Sequence, residues 1–151
     1  MANTQAMCTS FKGELLVGHH NFGTGVTRAS TAADSFKAAL YLATATVNAS
    51  TTAYSSTNEV SGTNYTAGGV AVTFGTAPST SGTTAFVTPS ASITYSSVTL
   101  STAFDAVLIY NSTQSNKAVS VHTFGSQTVT AGTFTLTMPV NDASTGLIRL
   151  A

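Results

Sequence analysis

Charged side chains are scarce in this sequence. Of its 151 residues only 7% are charged, whereas an ordinary globular domain has about 25%, and the five basic and five acidic residues cancel. Acid–base catalysis, metal binding and phosphate binding all depend on charged or imidazole side chains. Because no run of Lys or Arg could neutralise several phosphates, we expect no nucleic-acid partner.

Cysteine and long apolar segments are also nearly absent. Cys8 is the only cysteine, which excludes a disulfide within the chain. The first residues lack a positive charge followed by an apolar core, so we expect no signal peptide. No segment approaches the ~18 consecutive apolar residues of a membrane helix. We therefore expect a protein that is made in a reducing cytoplasm, is not secreted and has no membrane partner.

Serine and threonine make up about a third of the chain, and apolar residues alternate with them. This period of two predicts half-buried strands with Thr on the outer face, and Phe134 falls on the core-facing side of one of them. The run 104–110 is nearly all apolar and suits a central strand. Residues 43–69 predict a long loop, with a short strand within it as an alternative, and Gly68 and Gly69 allow positive φ angles at a turn. Strands are predicted at 36–42, 70–74, 85–88, 93–95, 98–100, 104–110, 117–124, 133–138 and 147–150.

This series of short strands predicts an all-β fold. We expect a single domain over residues 1–151, built as an antiparallel β-sandwich or jelly roll. Thr9 or Ser10 could cap one short N-terminal helix over residues 11–17. Residues 1–8 are small or polar and uncharged, and predict an extended N-terminal arm.

The extended arm has no periodicity that would bury it in its own sandwich. Ordering it costs about 1–2 kcal/mol of backbone entropy per residue. An arm laid along a neighbouring subunit can offset that cost with backbone hydrogen bonds, as an extra strand. We therefore expect the arm to contact another copy of the chain or a partner protein, with Met7 and Phe11 as apolar anchors. The predicted interface residues are Ala2, Asn3, Thr4, Gln5, Ala6, Met7 and Phe11.

No constellation of side chains predicts catalysis. No nucleophile elbow or phosphate-binding loop occurs, and the carboxylates are far apart in the sequence. His19 and His20 point to opposite sides of an extended chain, and their spacing from Cys8 and His122 resembles no zinc pattern. We predict no catalytic residue, no metal site and no cofactor, and therefore no enzyme. The carboxylates are those of Glu14, Asp34, Glu59, Asp105 and Asp142.

Two of these carboxylates have specific expectations. We expect Asp34 to cap a turn. Asp105 lies within the most apolar strand, where an unpaired charge is costly. We expect it to meet Lys117, Arg149 or an open edge of the sheet.

The tyrosines leave two interpretations open. Tyr54, Tyr65 and Tyr95 could contact a sugar, although packing is the commoner role. The chain has no Trp, and Trp is a common stacking platform for sugars, so its absence counts mildly against a carbohydrate-binding module.

A set of short motifs runs through nearly the whole chain, and its most distinctive part is Glu-Val-Ser-Gly-x-x-Tyr-x-x-Gly-Gly. The segments that form it are Met7–Lys12, Glu14–Leu16, His20–Phe22, Phe36–Tyr41, Glu59–Gly69, Leu108–Ser112, Asn116–Val119, Phe124–Gly125 and Gly132–Leu136 with Pro139. Together these motifs resemble those of a family of small virion proteins of tailed bacteriophages.

The resemblance implies a structural component of the virion, made in the host cytoplasm. Small jelly-roll proteins of this size commonly serve as cement or decoration proteins on capsids. We therefore expect a capsid cement protein that bridges and stabilises subunits of the major capsid protein, itself a dimer or trimer. One alternative is a component of the tail or of the head–tail connector. An alternative of another class is an adhesin or carbohydrate-binding module, which the missing signal peptide opposes.

Overall fold

The computed structural model describes residues 3–8, 11, 19–20, 22–23, 33–82 and 84–150. This part of the chain is all-β, as predicted, and forms two antiparallel sheets. No described residues form a helix long and apolar enough to cross a membrane. The strands are β1 (Ala6–Met7), β2 (Phe36–Leu42), β3 (Val70–Val72), β4 (Ser79–Ser81), β5 (Thr84–Val87), β6 (Ile93–Asn111), β7 (Lys117–Leu136) and β8 (Ile148–Leu150).

The larger sheet has five strands in the order β1-β7-β6-β2-β3, and the smaller has three in the order β4-β5-β8. Strand β2 pairs with the second half of β6, from Phe36 opposite Asn111 to Leu42 opposite Phe104. Its residues are almost all buried, because neighbouring strands flank it on both sides. The predicted strand at 36–42 is therefore confirmed.

Strands β6 and β7 form a two-stranded ribbon of 19 and 20 residues, which is unusually long for strands of globular proteins. The separate strands predicted at 93–95, 98–100 and 104–110 are wrong in this respect, because all three are parts of β6. The segments 117–124 and 133–138 likewise fall largely within β7. Irregularities interrupt the pairing without ending it, as at Ser97, which has a φ of 54°.

The core lies on the sheet where β2, β6 and β7 meet. Leu40, Phe104, Leu108 and Val119 are completely buried there. Burial of a Leu or Phe side chain stabilises a fold by about 1.5–3 kcal/mol, so these central strands contribute most of the hydrophobic stabilisation.

A second aromatic group extends the core toward the start of the chain. The rings of Phe22, Phe36 and Phe74 lie 4.9–5.0 Å apart between centroids, within the range favoured for aromatic pairs. Phe11 joins them at 5.9 Å from Phe22. The predicted helix over residues 11–17 lies outside the described residues, Phe11 excepted.

Candidate interaction surface

The N-terminal arm lies on the sheet of its own chain. Ala6 pairs with Val121 and Met7 with Ser120 along the outer edge of β7, and the amide of Cys8 donates to the carbonyl of Val119 at 3.3 Å. The expectation that nothing in its own domain would hold the arm is therefore wrong. The arm is held because the outer edge of β7, more than a hundred residues later in the sequence, supplies hydrogen bonds to its backbone groups.

Asn3 fixes the start of the arm. Its Nδ2 donates to the carbonyl of Leu42 at 3.1 Å and to a carboxylate oxygen of Asp105. Its Oδ1 accepts from the amide of Val47 at 3.1 Å. One side chain thus joins the arm to β2, to β6 and to the loop after β2, which accounts for its half-buried position.

The predicted interface residues have unequal exposure. Thr4 and Gln5 are exposed, and Ala6 and Met7 are half-buried. Phe11 is completely buried within its own chain, so its ring packs in the core rather than on the surface. Ala2 lies outside the described residues. Contact of the arm with another protein stays a prediction, and Thr4 and Gln5 are its most accessible members.

The two carboxylates with specific expectations bind neutral amides. Asp105 accepts from Asn3, and no ion pair of Asp105 with Lys117 or Arg149 occurs in the described structure. Asp34 accepts a hydrogen bond from Nδ2 of Asn111 at 2.7 Å. The amides of Thr113 and Gln114, in the turn between β6 and β7, donate to Oδ1 of the same asparagine. Asp34 therefore stabilises this turn through Asn111.

A buried carboxylate that sequence reasoning left unassigned lies beneath the long loop. Glu59 is only 9% exposed. Its Oε2 accepts from the hydroxyl of Tyr54 at 2.6 Å, and its Oε1 accepts from the hydroxyl of Tyr65 and the amide of Gly68, both at 2.8 Å. The signal in the sequence is a single carboxylate in an otherwise uncharged loop with a tyrosine on each side.

The tyrosines around Glu59 are held as neutral phenols. Burial raises the pKa of Tyr41 to about 12, and the nearby carboxylate of Glu59 adds to the shift. Burial is also the main cause that raises the pKa of Tyr65 and Tyr95. These phenols therefore keep their protons at neutral pH.

The phenol hydroxyls are also committed to the protein itself. Tyr95 is 2% exposed and donates to the carbonyl of Ala38 at 2.8 Å, and Tyr110 donates to the carbonyl of Gly68 at 2.8 Å. Gly68 and the following glycine have φ angles of 89° and 71°, which confirms the predicted turn. Of the two open interpretations of Tyr54, Tyr65 and Tyr95, this geometry favours packing.

The described histidines have separate surroundings. Nδ1 of His20 lies 3.2 Å from Nδ2 of Asn111, and Nε2 of His122 lies 2.9 Å from the hydroxyl of Ser120. Burial lowers the pKa of His122 to about 4, so its ring is neutral at neutral pH. His122 borders a cavity of about 210 Å³ that Ile109, Leu136 and others line. Within the described ranges, no three His, Cys, Asp or Glu side chains are grouped so as to hold a metal ion.

Beyond its short pairing with β1, the outer edge of β7 has no partner strand among the described residues. Strand β1 pairs with β7 only at Ser120 and Val121, and no other described strand pairs with that side of β7 up to Leu136. From Ala118 to Asn141 the sequence has no Asp, Glu, Lys or Arg. The unpaired backbone groups and the hydroxyls along this edge can bind protein.

No protein-family model, no curated protein and no solved structure matches the chain.

Proposed function

We propose that this chain is a structural protein of a tailed-bacteriophage virion, a cement protein that bridges and stabilises subunits of the major capsid protein. The observation that carries the proposal is the uncharged, threonine-rich set of exposed residues in β7 and in the segment that follows it to Asn141. The motifs of the sequence that resemble small virion proteins support it independently.

The surface chemistry suits a protein that is buried in an assembly. Burying an unpaired charge is far more costly than burying a hydroxyl that can bind a backbone group. The residues Gly125–Thr128 and Thr130–Ala131 are exposed, and none of their side chains is ionisable. Many weak contacts on a capsid shell together give strong binding, because each contact that forms raises the effective concentration for the next one.

We assign the two sheets to the layers of a β-sandwich, for which a jelly roll is one possible connection of strands. Val87 of β5 and Ile148 of β8 belong to the same buried group as the large sheet's Leu108 and Val121. Burial of both sheets in one group supports two layers around a common core.

Other roles are less well supported. A tail or connector component would use the same surface chemistry, and only its place in the particle differs. An adhesin or carbohydrate-binding module would need an exposed aromatic platform. The three candidate tyrosines instead direct their hydroxyls to Glu59 and Ala38.

The position of the protein in purified particles tests the proposal. Cryo-electron microscopy should find copies over the whole capsid shell, between major capsid subunits. Copies found only at a single vertex or along the tail would instead show a tail or connector component. A particle without the protein would overturn the virion role altogether.

Binding to capsids tests the arm. Purified protein should bind capsids that lack it and raise the temperature at which they break. Thr4→Lys combined with Gln5→Lys alters the exposed arm residues, and Ser56→Lys combined with Thr57→Lys is a matched control on the exposed loop. Weaker binding of the arm variant alone would support the predicted interface, whereas equal binding of both variants would remove the arm from it.

A further inference from the structure

The edge of β7 has a regular segment at its far end. Leu136, Thr135 and Phe134 pair in unbroken register with Ile93, Thr94 and Tyr95 of β6, whereas the register shifts repeatedly between Tyr95 and Ala106. Such irregularities bend a strand and make its edge less able to accept a partner. The regular end is therefore the part of the edge best able to accept another strand.

This end of the edge also lacks the usual protection. Exposed edges are commonly blocked by a charged side chain, a proline or a covering segment. Between Thr133 and Thr137 there is neither a charge nor a proline, and no described residue pairs with the outer side. The amides and carbonyls on that side are free to bind a further strand.

The side chains of the segment alternate in a self-complementary way. Thr133, Thr135 and Thr137 are exposed, and Phe134 and Leu136 are half-buried. When two such segments pair antiparallel about Thr135, threonine lies opposite threonine and Phe134 lies opposite Leu136. Threonine pairs and pairs of apolar side chains each stabilise a sheet by roughly 0.2–1 kcal/mol.

We propose that the segment Thr133–Thr137 pairs with the same segment of a second copy of this chain, antiparallel about a two-fold axis at Thr135. An uncharged edge favours this occupant, because two identical charged edges would repel each other, whereas these two do not. A two-fold contact of this kind closes on itself and gives a dimer.

The dimer is weak in solution. Five paired residues span about 17 Å, so the buried area falls well short of the ~800 Å² per partner of a standard interface. A dissociation constant of roughly 10–100 μM is expected for such a contact. The inference does not rest on the cement function, because two copies can pair in the absence of any capsid.

Sedimentation equilibrium tests the pairing with four proteins. The wild type should change from monomer to dimer between about 1 μM and 1 mM. Thr135→Lys and Thr135→Glu alone should each weaken the dimer about tenfold or more, because like charges then lie directly opposite. An equimolar mixture of the two variants should dimerise again. Thr94→Lys is the matched control, since Thr94 is the exposed neighbour of Thr135 on β6 and not on the outer edge.

Oxidative cross-linking tests the register. Thr135→Cys should form a disulfide-linked dimer under mild oxidant, because residues opposite each other across a two-fold axis lie within disulfide reach. Thr94→Cys should not, and the native Cys8 does not interfere because it is fully buried. A wild type that stays monomeric at ~1 mM would overturn the proposal, as would loss of the dimer in Thr94→Lys to the same extent as in Thr135→Lys. If the wild type dimerises but the mixture of the two charged variants does not, and Thr135→Cys forms no cross-link, then the dimer forms through another surface.

Discussion

The hydroxyl of Tyr65 donates a hydrogen bond of 2.8 Å to Oε1 of Glu59. The same hydroxyl accepts from the amide of Leu40 at 2.9 Å, so the carboxylate beneath the loop is connected to the central strand β2 through one phenol. The long loop after β2 is thereby fastened to the sheet from within, and Glu59 is the residue on which this attachment depends.

Replacement of Glu59 should destabilise the protein. Glu59→Ala leaves two hydroxyls and one amide without their acceptor, and each unsatisfied buried donor costs about 1–3 kcal/mol. We expect the free energy of unfolding to fall by at least about 3 kcal/mol, and by less in Glu59→Gln, which keeps one acceptor oxygen. Urea unfolding measures both, with the exposed Thr57→Ala as control. A loss below about 1 kcal/mol in Glu59→Ala would refute the role of Glu59.

The buried tyrosines predict a loss of stability at alkaline pH. The pKa of Tyr41 is about 12 in the folded protein and about 10 in an unfolded chain. Below pH 10 the phenol is neutral in both states and stability is complete; above it the unfolded state loses its proton first. The free energy of unfolding should therefore fall from about pH 10 to pH 12. Tyr41→Phe should reduce that slope, and an unchanged slope would contradict the assignment to Tyr41.

His122 predicts a loss of stability in a different pH range. Its pKa is about 4 when folded and about 6.5 when unfolded, so the unfolded state binds the proton first as the pH falls. The stabilisation is complete above about pH 6.5 and is lost progressively toward pH 4. Urea unfolding between pH 7 and 4 should give a shallower slope for His122→Gln than for the wild type. Equal slopes would show that the ring is not buried as a neutral group.

The contacts of Asn3 predict that the arm stabilises the isolated chain. Asn3→Ala removes the hydrogen bonds to Leu42, Asp105 and Val47, and we expect a loss of about 1–3 kcal/mol. Gln5→Ala, an exposed neighbour in the arm, should change stability by less than about 0.5 kcal/mol. If Asn3→Ala were as stable as Gln5→Ala, the side chain of Asn3 would contribute nothing to holding the arm, and only its backbone pairing with β7 would remain.

Two aromatic residues of the ribbon should differ in their importance. Phe104 is fully buried, so Phe104→Ala should cost about 3–5 kcal/mol. Phe134 lies 5.1 Å from Phe104 between ring centroids but is half-buried, so Phe134→Ala should cost less, about 1–3 kcal/mol. Thermal or urea unfolding gives the order, and a reversed order would mean that the core of the ribbon is centred on Phe134.

The strands with an unbroken pattern could be predicted from the sequence. Residues 36–42 and 104–110 are almost continuously apolar because both strands lie in the middle of the sheet, and burial on both faces leaves that mark on any sequence. The long loop 43–69 was equally predictable, because glycine, asparagine and hydroxyl side chains favour turns.

The length of the ribbon could not be predicted in the same way. Ser96, Ser97 and Ser101–Thr102 read as turn residues, and β6 continues through them because β7 supplies hydrogen bonds at irregular register. Local propensity carries no information about a partner that follows later in the chain. The local sequence at these serines therefore indicates a turn, whereas pairing with β7 makes the segment part of a strand.

The contacts of the arm and of Glu59 could not be predicted from the sequence for a related reason. Ala6–Met7 is too short to have a period, and its partner Ser120–Val121 is far away in the sequence. Glu59 gains its role from three donors that the loop brings together only when folded. The absence of Asp, Glu, Lys and Arg over residues 118–141 could be seen in the sequence. That much of this segment lies along an unpaired strand edge could not.

The pairing order of the sheet has a consequence for the nascent chain on the ribosome. Strand β2 finds its main partner in β6, and β1 finds its own in β7, so the N-terminal strands must wait until most of the polypeptide has been synthesised. The ribbon itself joins neighbours in sequence through one short turn, and short loops close at the lowest entropic cost. We expect the ribbon to fold first and to serve as the template on which the waiting strands assemble. Until then most of the apolar run of β2 has no partner strand, so we expect the growing chain, rather than the mature fold, to be the state most prone to aggregation.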